Sequence, residues 1–523
     1  VFREGDTVSL GGKLDFFGRK VAMLSPEYEI IFKGKKNVHT GRLVPVYHET
    51  AGVSSKWLRS RIEKAFEMYE GDLAEFLPNN IPKEHLLVSY KDAISQIHFP
   101  KNAGQAQSGK HRLAFNELLM LHLANIKRKK LWQKYEVANK LTVDPVSINR
   151  LIDTLPFELT NSQKMTVKEI LHDLEADIPM NRLLEGDVGS GKTVVAAIAC
   201  FASFLNGHQS IIMAPTQILA QQHFNTLNEL FESYKIRVSL ITSDKKDLNL
   251  GSTDIFVGTH ALIHSKVDFK RVSLVVIDEQ HRFGVEQRTH LIKKTKNKSI
   301  APHVLTMTAT PIPRTVALTF FGDLDLSTLT EMPEGRQKIT TWVVPPTKRD
   351  ACYQWIYSKI KKEHTQAFVV CPLIEESDKE TMAEVKAATA EYEKIKSAFL
   401  KLKIGLLHGK LKAKEKEKII ADFRKGPTEM LVATPVIEVG VDIPGATIMV
   451  IEAAERFGLA QLHQLRGRVG RSNTKSYCLL MSETASQKAT QRLTSLTQTY
   501  SGFELAELDL KLRGPGEIFG TAQ

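Results

Sequence analysis

The sequence predicts an α/β chain in which two tandem lobes, each a largely parallel sheet covered by helices, follow a small β-rich piece and a helical connector. Three observations carry that expectation. Beyond Pro156, short apolar runs alternate with segments of helical spacing, as in βα units whose strands are buried on both faces. A second series of the same kind follows Arg336. Ahead of both, residues 1 to about 50 hold apolar runs cut by glycine, the pattern of short strands and tight turns. A chain of 523 residues also exceeds what one hydrophobic core covers, so several domains are required.

Taken in order, Thr7–Lys13 and Tyr28–Phe32 read as strands of a first domain over residues 1–55. Helical spacing over Lys56–Phe76 and Arg112–Trp132, with Leu113, Leu118, Leu121 and Ala124 on one face, gives a connector over 56–153. Its basic run Lys127-Arg128-Lys129-Lys130 is either a solvated helix face or a phosphate contact. The first lobe, 154–335, has strand candidates at Leu183–Leu184, Ser210–Met213, Val238–Ile241, Ile255–Val257, Leu274–Ile277 and Val304–Met307. The second, 336–500, has them at Ala367–Val370, Ile404–Leu407, Met430–Ala433, Ile448–Ile451 and Tyr477–Met481. The lobes join near Pro333-Glu334-Gly335-Arg336, and residues 501–523 stop within what reads as an unfinished motif. With Val1 in place of an initiating Met, the chain is expected to be a fragment.

Lys and Arg total 71 against 59 Asp and Glu, a formal charge of +12 that suits a polyanionic partner such as nucleic acid. Cys200, Cys352, Cys371 and Cys478 lie far apart without a C-x-x-C pair, which points away from a zinc site or a disulfide framework. No uncharged apolar run reaches the ~18 residues of a membrane span, and no signal pattern opens the chain. A cytoplasmic setting without membrane association is expected.

Three sequence elements carry chemistry. Gly186-Asp187-Val188-Gly189-Ser190-Gly191-Lys192-Thr193 follows an apolar strand and opens a helical stretch from Val194 to Leu205, the context a phosphate-binding loop requires. Its N–H groups would cradle phosphate oxygens, Lys192 would reach the β and γ phosphates, and Thr193 would offer a hydroxyl to Mg²⁺. Asp278-Glu279-Gln280-His281 follows the apolar run Leu274–Ile277, so its carboxylates should emerge at the carboxyl edge of a buried strand. Asp278 would hold Mg²⁺ through water and Glu279 would act as general base on the attacking water. In the second lobe, the run Gln461–Arg471 carries Arg466, Arg468 and Arg471. Such cations suit the charge building on a transferring phosphoryl group, and lobe closure would bring Arg468 and Arg471 to the phosphates.

The order of these motifs resembles superfamily 2 helicases, and within them the RecG family of bacterial branched-DNA translocases. That resemblance implies two tandem RecA-like P-loop motor domains preceded by a partial OB-fold β-barrel wedge and a helical connector, with ATP and Mg²⁺ as cofactors. Phe157-Glu158-Leu159-Thr160 with Gln163 is similar to the adenine-reading motif, Phe157 stacking on the base and Gln163 bonding its edge. The segments Ala214-Pro215-Thr216-Gln217 and Gly258-Thr259-His260 resemble motifs that grip the DNA backbone. Thr308-Ala309-Thr310-Pro311-Ile312-Pro313-Arg314 looks like the segment that couples hydrolysis to movement, which assigns that role to Thr308, Thr310 and Arg314. The run Ala433–Asp442, with Thr434, Gly440 and Asp442, is similar to the nucleotide-and-DNA motif of the second lobe, and Gln464 joins the coupling set.

Asp278–Val285 and the tail Leu512–Gly520, with Arg513, resemble a pair shared by RecG and the transcription-repair coupling factor Mfd. The tail is similar to a translocation motif, so 501–523 would be that motif, truncated. Ile97–Pro100 and Arg112–Leu119 favour RecG over Mfd. The wedge would stack on a branch point; Phe16 and Phe17 are candidates for that stacking or else belong to the barrel core. Pro435 and Ala522 depart from the pattern, where a hydroxyl residue and Arg are usual. The resemblance implies a translocase acting on stalled forks, Holliday junctions, D-loops and R-loops, with a single-stranded DNA-binding protein as a candidate partner and a monomer as the expected state. The competing readings are an Mfd-like translocase, an RNA helicase, and a scaffold with a silent nucleotide site.

Overall fold

The computed structural model describes residues 3–17, 20–23, 26–31, 37–242, 252–264, 271–279, 300–333, 337–372, 380–409, 411–435, 443, 445–470, 474–483 and 486–513. The chain divides into two compact units, Val1–Asn125 and Ile126–Gln523.

In the first unit, β1 (Val8–Gly11) pairs antiparallel with β4 (Glu27–Ile30), and β2 (Leu14–Phe17) with β3 (Lys20–Met23). Antiparallel strands linked by tight turns are what the glycine-cut apolar runs require, and they fit a wedge domain. Phe16 in β2 is 74% exposed, which removes it from any core; the side chain of Phe17 lies outside the described residues. The helices are α1 (Ser55–Tyr69), α2 (Asn80–Glu84), α3 (Tyr90–His98) and α4 (Ala103–Trp132), the last of which runs on into the second unit. Ser54 and Ser89 cap α1 and α3 by accepting from Trp57 N–H and Asp92 N–H. The expected Lys56–Phe76 helix stops at Tyr69, where a single 3-10 turn follows, and α4 starts nine residues before Arg112. The guanidinium of Arg112 is buried and bonds the Glu75 carboxylate at 2.6 Å, Asn116 Oδ1 at 3.0 Å and the Val88 carbonyl at 3.1 Å.

The second unit contains both lobes. After β5 (Glu136–Val137) and α5 (Pro145–Asp153) come α6 (Asn161–Glu175), β6 (Asn181–Gly186), α7 (Lys192–Leu205), β7 (Gln209–Met213), α8 (Gln217–Phe231), β8 (Val238–Ile241), β9 (Ile255–Gly258), α9 (Ala261–His264) and β10 (Val272–Asp278). β11 (Ile300–Ala301), β12 (His303–Thr308), α10 (Arg314–Phe320) and β13 (Asp325–Leu329) complete the first lobe. Its seven-stranded parallel sheet has the order β13-β6-β12-β10-β7-β9-β8. Because strand side chains alternate, Leu274 and Val276 enter the core under α7 and α8 while Val275 and Ile277 pack on the opposite face. This is why β10 is apolar throughout.

The second lobe comprises β14 (Thr340–Val344), α11 (Arg349–Glu363), β15 (Gln366–Val370), α12 (Glu380–Ala398), β16 (Ile404–Leu407), α13 (Ala413–Arg424), β17 (Met430–Ala433), β18 (Ala446–Ile451), α14 (Leu459–Arg466), β19 (Tyr477–Met481), α15 (Gln487–Gln498) and α16 (Gly502–Arg513). Its six strands are parallel in the order β14-β19-β18-β15-β17-β16, again with a core on each face. Every expected strand of both lobes forms; the two-residue β11, together with β13 and β14, is additional. The basic run of α4 is partly paired within the protein, Lys129 with Asp325 at 2.8 Å and Arg128 with Asp323 at 3.7 Å. Among the described residues no helix is long and apolar enough to cross a membrane.

Candidate nucleotide site between the lobes

The loop between β6 and α7 is shaped by its glycines. Gly189 and Gly191 have φ of +82° and +86°, a region that side chains rarely enter, and a Cβ on Gly191 would fall 2.2 Å from Gln163 Nε2. The Lys192 ammonium donates to the carbonyls of Gly186 (2.6 Å) and Asp187 (2.9 Å). Burial pulls its pKa down, while the charges of Glu279, Asp278 and Asp187 oppose that and Arg468 adds to it. Lobe 1 acids and a lobe 2 arginine therefore surround one lysine. Ser190 is buried, and its hydroxyl has no hydrogen-bond partner among the described residues. An unpaired buried hydroxyl, turned backbone N–H groups and a lysine at the start of a helix suit a polyphosphate.

The sheet order brings the other residues here. β12 lies between β6 and β10, so Thr308–Thr310 comes between the phosphate loop and the acidic pair. Asp278, buried at the end of β10, accepts from His223 Nε2 at 2.8 Å. Burial pushes its carboxyl up, but the His223 hydrogen bond and the Lys192 charge outweigh that and leave it below the usual range, hence ionised. A hydroxyl (Thr193, half-buried) and an ionised carboxylate are the hard oxygen donors that Mg²⁺ takes. Glu279 has a positive φ of 55°, an uncommon backbone state for glutamate that recurs at functional sites. Burial, then the Asp278 charge, push its carboxyl above the ordinary value, and its Oε2 accepts from Ala309 N–H at 3.4 Å.

Residues from lobe 2 meet this loop directly. A Cβ on Gly467, at the end of α14, would lie 3.1 Å from Val188 Cβ. Arg468 is buried, and its charge acts on both Lys192 and Glu279. Gln464 Nε2 donates to Thr310 Oγ1 at 2.6 Å, joining α14 to the segment after β12. Arg466 turns away from the loop, and its buried guanidinium donates to the carbonyls of Leu496 (2.7 Å) and Thr499 (3.0 Å) and to His463 Nδ1 (2.7 Å), fastening α14 to the end of α15.

The remaining expected site residues are distributed as follows. Phe157 stands 47% exposed before α6. Gln163 completes a capping box with Thr160 at the start of α6 and donates to Ser190 O at 2.8 Å, so its amide braces the phosphate loop. Pro215, Thr216, Gln217, Thr259 and His260 are half-buried at the carboxyl ends of β7 and β9, where Thr216 caps α8. Thr308 accepts from Thr310 N–H at 3.1 Å, and Thr434 is buried after β17 with its hydroxyl unpartnered among the described residues. Gly440, Asp442 and Arg471, the side chains of Arg314 and Arg513, and the tail beyond Arg513 lie outside the described residues. Sequence reasoning missed His223, Glu185, His463 and Gly502. His463 lay within the quoted arginine run, but nothing local marked the others.

A phosphate loop and an acid pair in one parallel-sheet lobe, faced by an arginine-bearing helix from a second, define the two-lobed architecture of the helicase class. Accordingly, residues 160–319 match the DEAD/DEAH box helicase family and residues 347–473 the helicase conserved C-terminal domain. The chain belongs to the RecG family: it is 41% identical over 529 residues to the ATP-dependent DNA helicase RecG of Bacillus subtilis, covering 99% of this chain and 76% of that protein. It is 44% identical over 512 residues to the RecG of a Synechocystis strain, covering 95% of this chain and 60% of that relative's length. A solved structure of RecG bound to a three-way DNA junction superimposes with a TM-score of 0.78 at 39% identity, covering 97% of this chain and 68% of that one.

Proposed function

We propose that this chain couples ATP hydrolysis to movement along duplex DNA and thereby remodels branched DNA: stalled forks, Holliday junctions, D-loops and R-loops. The observation that carries the reading is that the Arg468 charge from the second lobe acts on Lys192 and Glu279 of the first, while Gly467 comes up against Val188 of the phosphate loop, because a nucleotide held there ties its bond cleavage to the separation of the lobes. The junction-bound RecG relative supports branched DNA as the substrate class.

In this reading Lys192 and the loop N–H groups hold the phosphates, Thr193 and Asp278 hold Mg²⁺, and Phe157 and Gln163 receive the adenine. Bound Mg²⁺ supplies charge neutralisation of the phosphate oxygens. Glu279 takes the proton of the attacking water, and Arg468 with Arg471 stabilises charge on the transferring group. Pro215, Thr216, Gln217, Thr259, His260, Thr434 and Arg513 contact DNA, while Thr308, Thr310, Arg314 and Gln464 relay closure between lobes. Gly440 and Asp442 close the nucleotide site from the second lobe, and Phe16 and Phe17 stack at the branch. A cytoplasmic, monomeric enzyme with a single-stranded DNA-binding protein as partner belongs to the same proposal.

The test is ATP-dependent regression of a forked substrate, with linear duplex, single-stranded DNA and single-stranded RNA as comparisons. Stimulation of phosphate release by forks and duplex supports the reading; stimulation by RNA alone would overturn it.

A further inference from the structure

Gly502, the first residue of α16, stands where segments of both lobes converge. A Cβ placed there would lie 2.1 Å from Asp187 Oδ1, 2.6 Å from Pro311 Cγ and 2.9 Å from His463 Nε2. One hydrogen atom thus stands where the phosphate loop, the segment after β12 and the arginine-bearing helix α14 meet. Asp187, buried in the phosphate loop, accepts from Gly502 N–H at 3.0 Å and faces His463 Nε2 at 3.0 Å. The Arg466 guanidinium can only donate, so His463 Nδ1 is its acceptor and the imidazole proton is on Nε2, the ring nitrogen that lies beside the Asp187 carboxylate. Burial raises the Asp187 carboxyl, but the adjacent His463, the Gly502 N–H hydrogen bond and the Lys192 charge bring it below its ordinary value, so the acceptor is a carboxylate.

We propose that Asp187 is a positioning residue that caps α16 from the opposite lobe, carrying the state of the phosphate loop to the helix that leads into the C-terminal tail. A free N–H in the first turn of a helix is satisfied ordinarily by a side chain of its own chain segment. Here Ser501 Oγ takes the Glu504 N–H locally at 3.4 Å, while the acceptor for the Gly502 N–H comes from 315 residues away. In this structure the Asp187 carbonyl is held by Lys192, the ammonium that phosphate would engage. When Lys192 turns to phosphate, the peptide at Asp187 loses that contact, and its carboxylate moves with it. α16 then feels the change through one hydrogen bond, without waiting for rearrangement of the whole lobe interface. Arg466 fixes the other side of the joint, since it holds His463 and the Leu496 and Thr499 carbonyls just ahead of α16.

The inference rests on the ATP-driven translocase reading, and the experiment separates the two. Base pairs unwound per ATP hydrolysed are measured on forked DNA, together with DNA-free ATP hydrolysis and thermal unfolding, for the unaltered chain and for Gly502→Ala, Asp187→Ala, Asp187→Asn and the double variant Gly502→Ala/Asp187→Ala. Gly502→Ala, whose Cβ forces Asp187, Pro311 or His463 to shift, should lower the melting temperature and lower unwinding per ATP about tenfold, the loss of one charge-assisted hydrogen bond, by more than it lowers DNA-free hydrolysis. Asp187→Asn, which keeps an oxygen acceptor, should unwind better per ATP than Asp187→Ala. The double variant should be no worse than the more affected single one, since both break the same contact. Unwinding per ATP unchanged in Gly502→Ala, or additive losses in the double variant, would overturn the proposal. So would hydrolysis and unwinding falling in strict proportion in every variant, because that marks a damaged loop and not a broken joint. If the unaltered chain shows no DNA-stimulated hydrolysis, it is the functional reading that fails.

Discussion

Replacing Glu185 by Gln should stabilise the first lobe, and only at neutral to alkaline pH. Glu185, the penultimate residue of β6, has 1% of its surface exposed, and its carboxylate accepts from Ile312 N–H. Burial, joined by the neighbouring Asp187 charge, raises the carboxyl from 4.5 to about 7 against the pull of the Ile312 N–H and Lys192. A group whose folded pKa lies above its unfolded one gives its full stability below the unfolded value and loses it as pH rises through the folded one. Over that window, 4.5 to about 7, the folded state loses about 3 kcal/mol relative to a side chain that cannot ionise. Gln has nearly the same shape and keeps an oxygen for Ile312 N–H, so the substitution removes the ionisation cost and little else. For a lobe of this size the gain corresponds to a rise of roughly 6–12 °C in its melting transition near pH 8.5, shrinking to about 1 kcal/mol or less near pH 5. Differential scanning calorimetry of both chains across that range measures it. An equal gain at both ends, or a loss at alkaline pH, would refute the argument that the buried carboxyl ionises at such cost.

Other substitutions address the nucleotide site and the first unit. Lys192→Ala and Glu279→Gln should each abolish DNA-stimulated phosphate release while leaving fork binding within about threefold, because DNA affinity comes from other surfaces; a gel-shift titration beside the hydrolysis assay decides this. Arg468→Ala should lower kcat by about 10²–10³-fold with a smaller change in KM, the pattern of a group that acts on transition-state charge; a rise in KM alone would speak against that role. Since Glu279 must be ionised to act as base and its pKa is raised, kcat should fall on acidification with a midpoint above 4.5. A pH–rate profile that stays flat through pH 4.5 would contradict the assignment. Arg112→Ala removes the buried guanidinium's bonds to the Val88 carbonyl and the Glu75 carboxylate and should cost the first unit about 1–3 kcal/mol, read as a lowered denaturation midpoint in urea.

The sequence alone determined the local chemistry of this protein. Glycine spacing around Lys192, acids directly after an apolar run, and two series of buried strands are short-range patterns, and each formed where expected. Strands β13, with the sequence Asp-Leu-Ser-Thr-Leu, and β14, Thr-Thr-Trp-Val-Val, were not legible because they are brief and partly polar, and only their pairing with β6 and β19 makes them strands. Tertiary structure decided which motifs touch. Inserting β12 between β6 and β10 set Ala309 against Glu279 and Ile312 against Glu185. Packing within the second lobe gave Arg466 to the carbonyls of Leu496 and Thr499, while docking of that lobe on the first set the Arg468 charge against Glu279 and joined Asp187 to His463 and Gly502. The physical reason is that composition and periodicity report on burial and backbone state within a few residues, whereas a hydrogen bond across 315 residues exists only once two independently packed sheets meet.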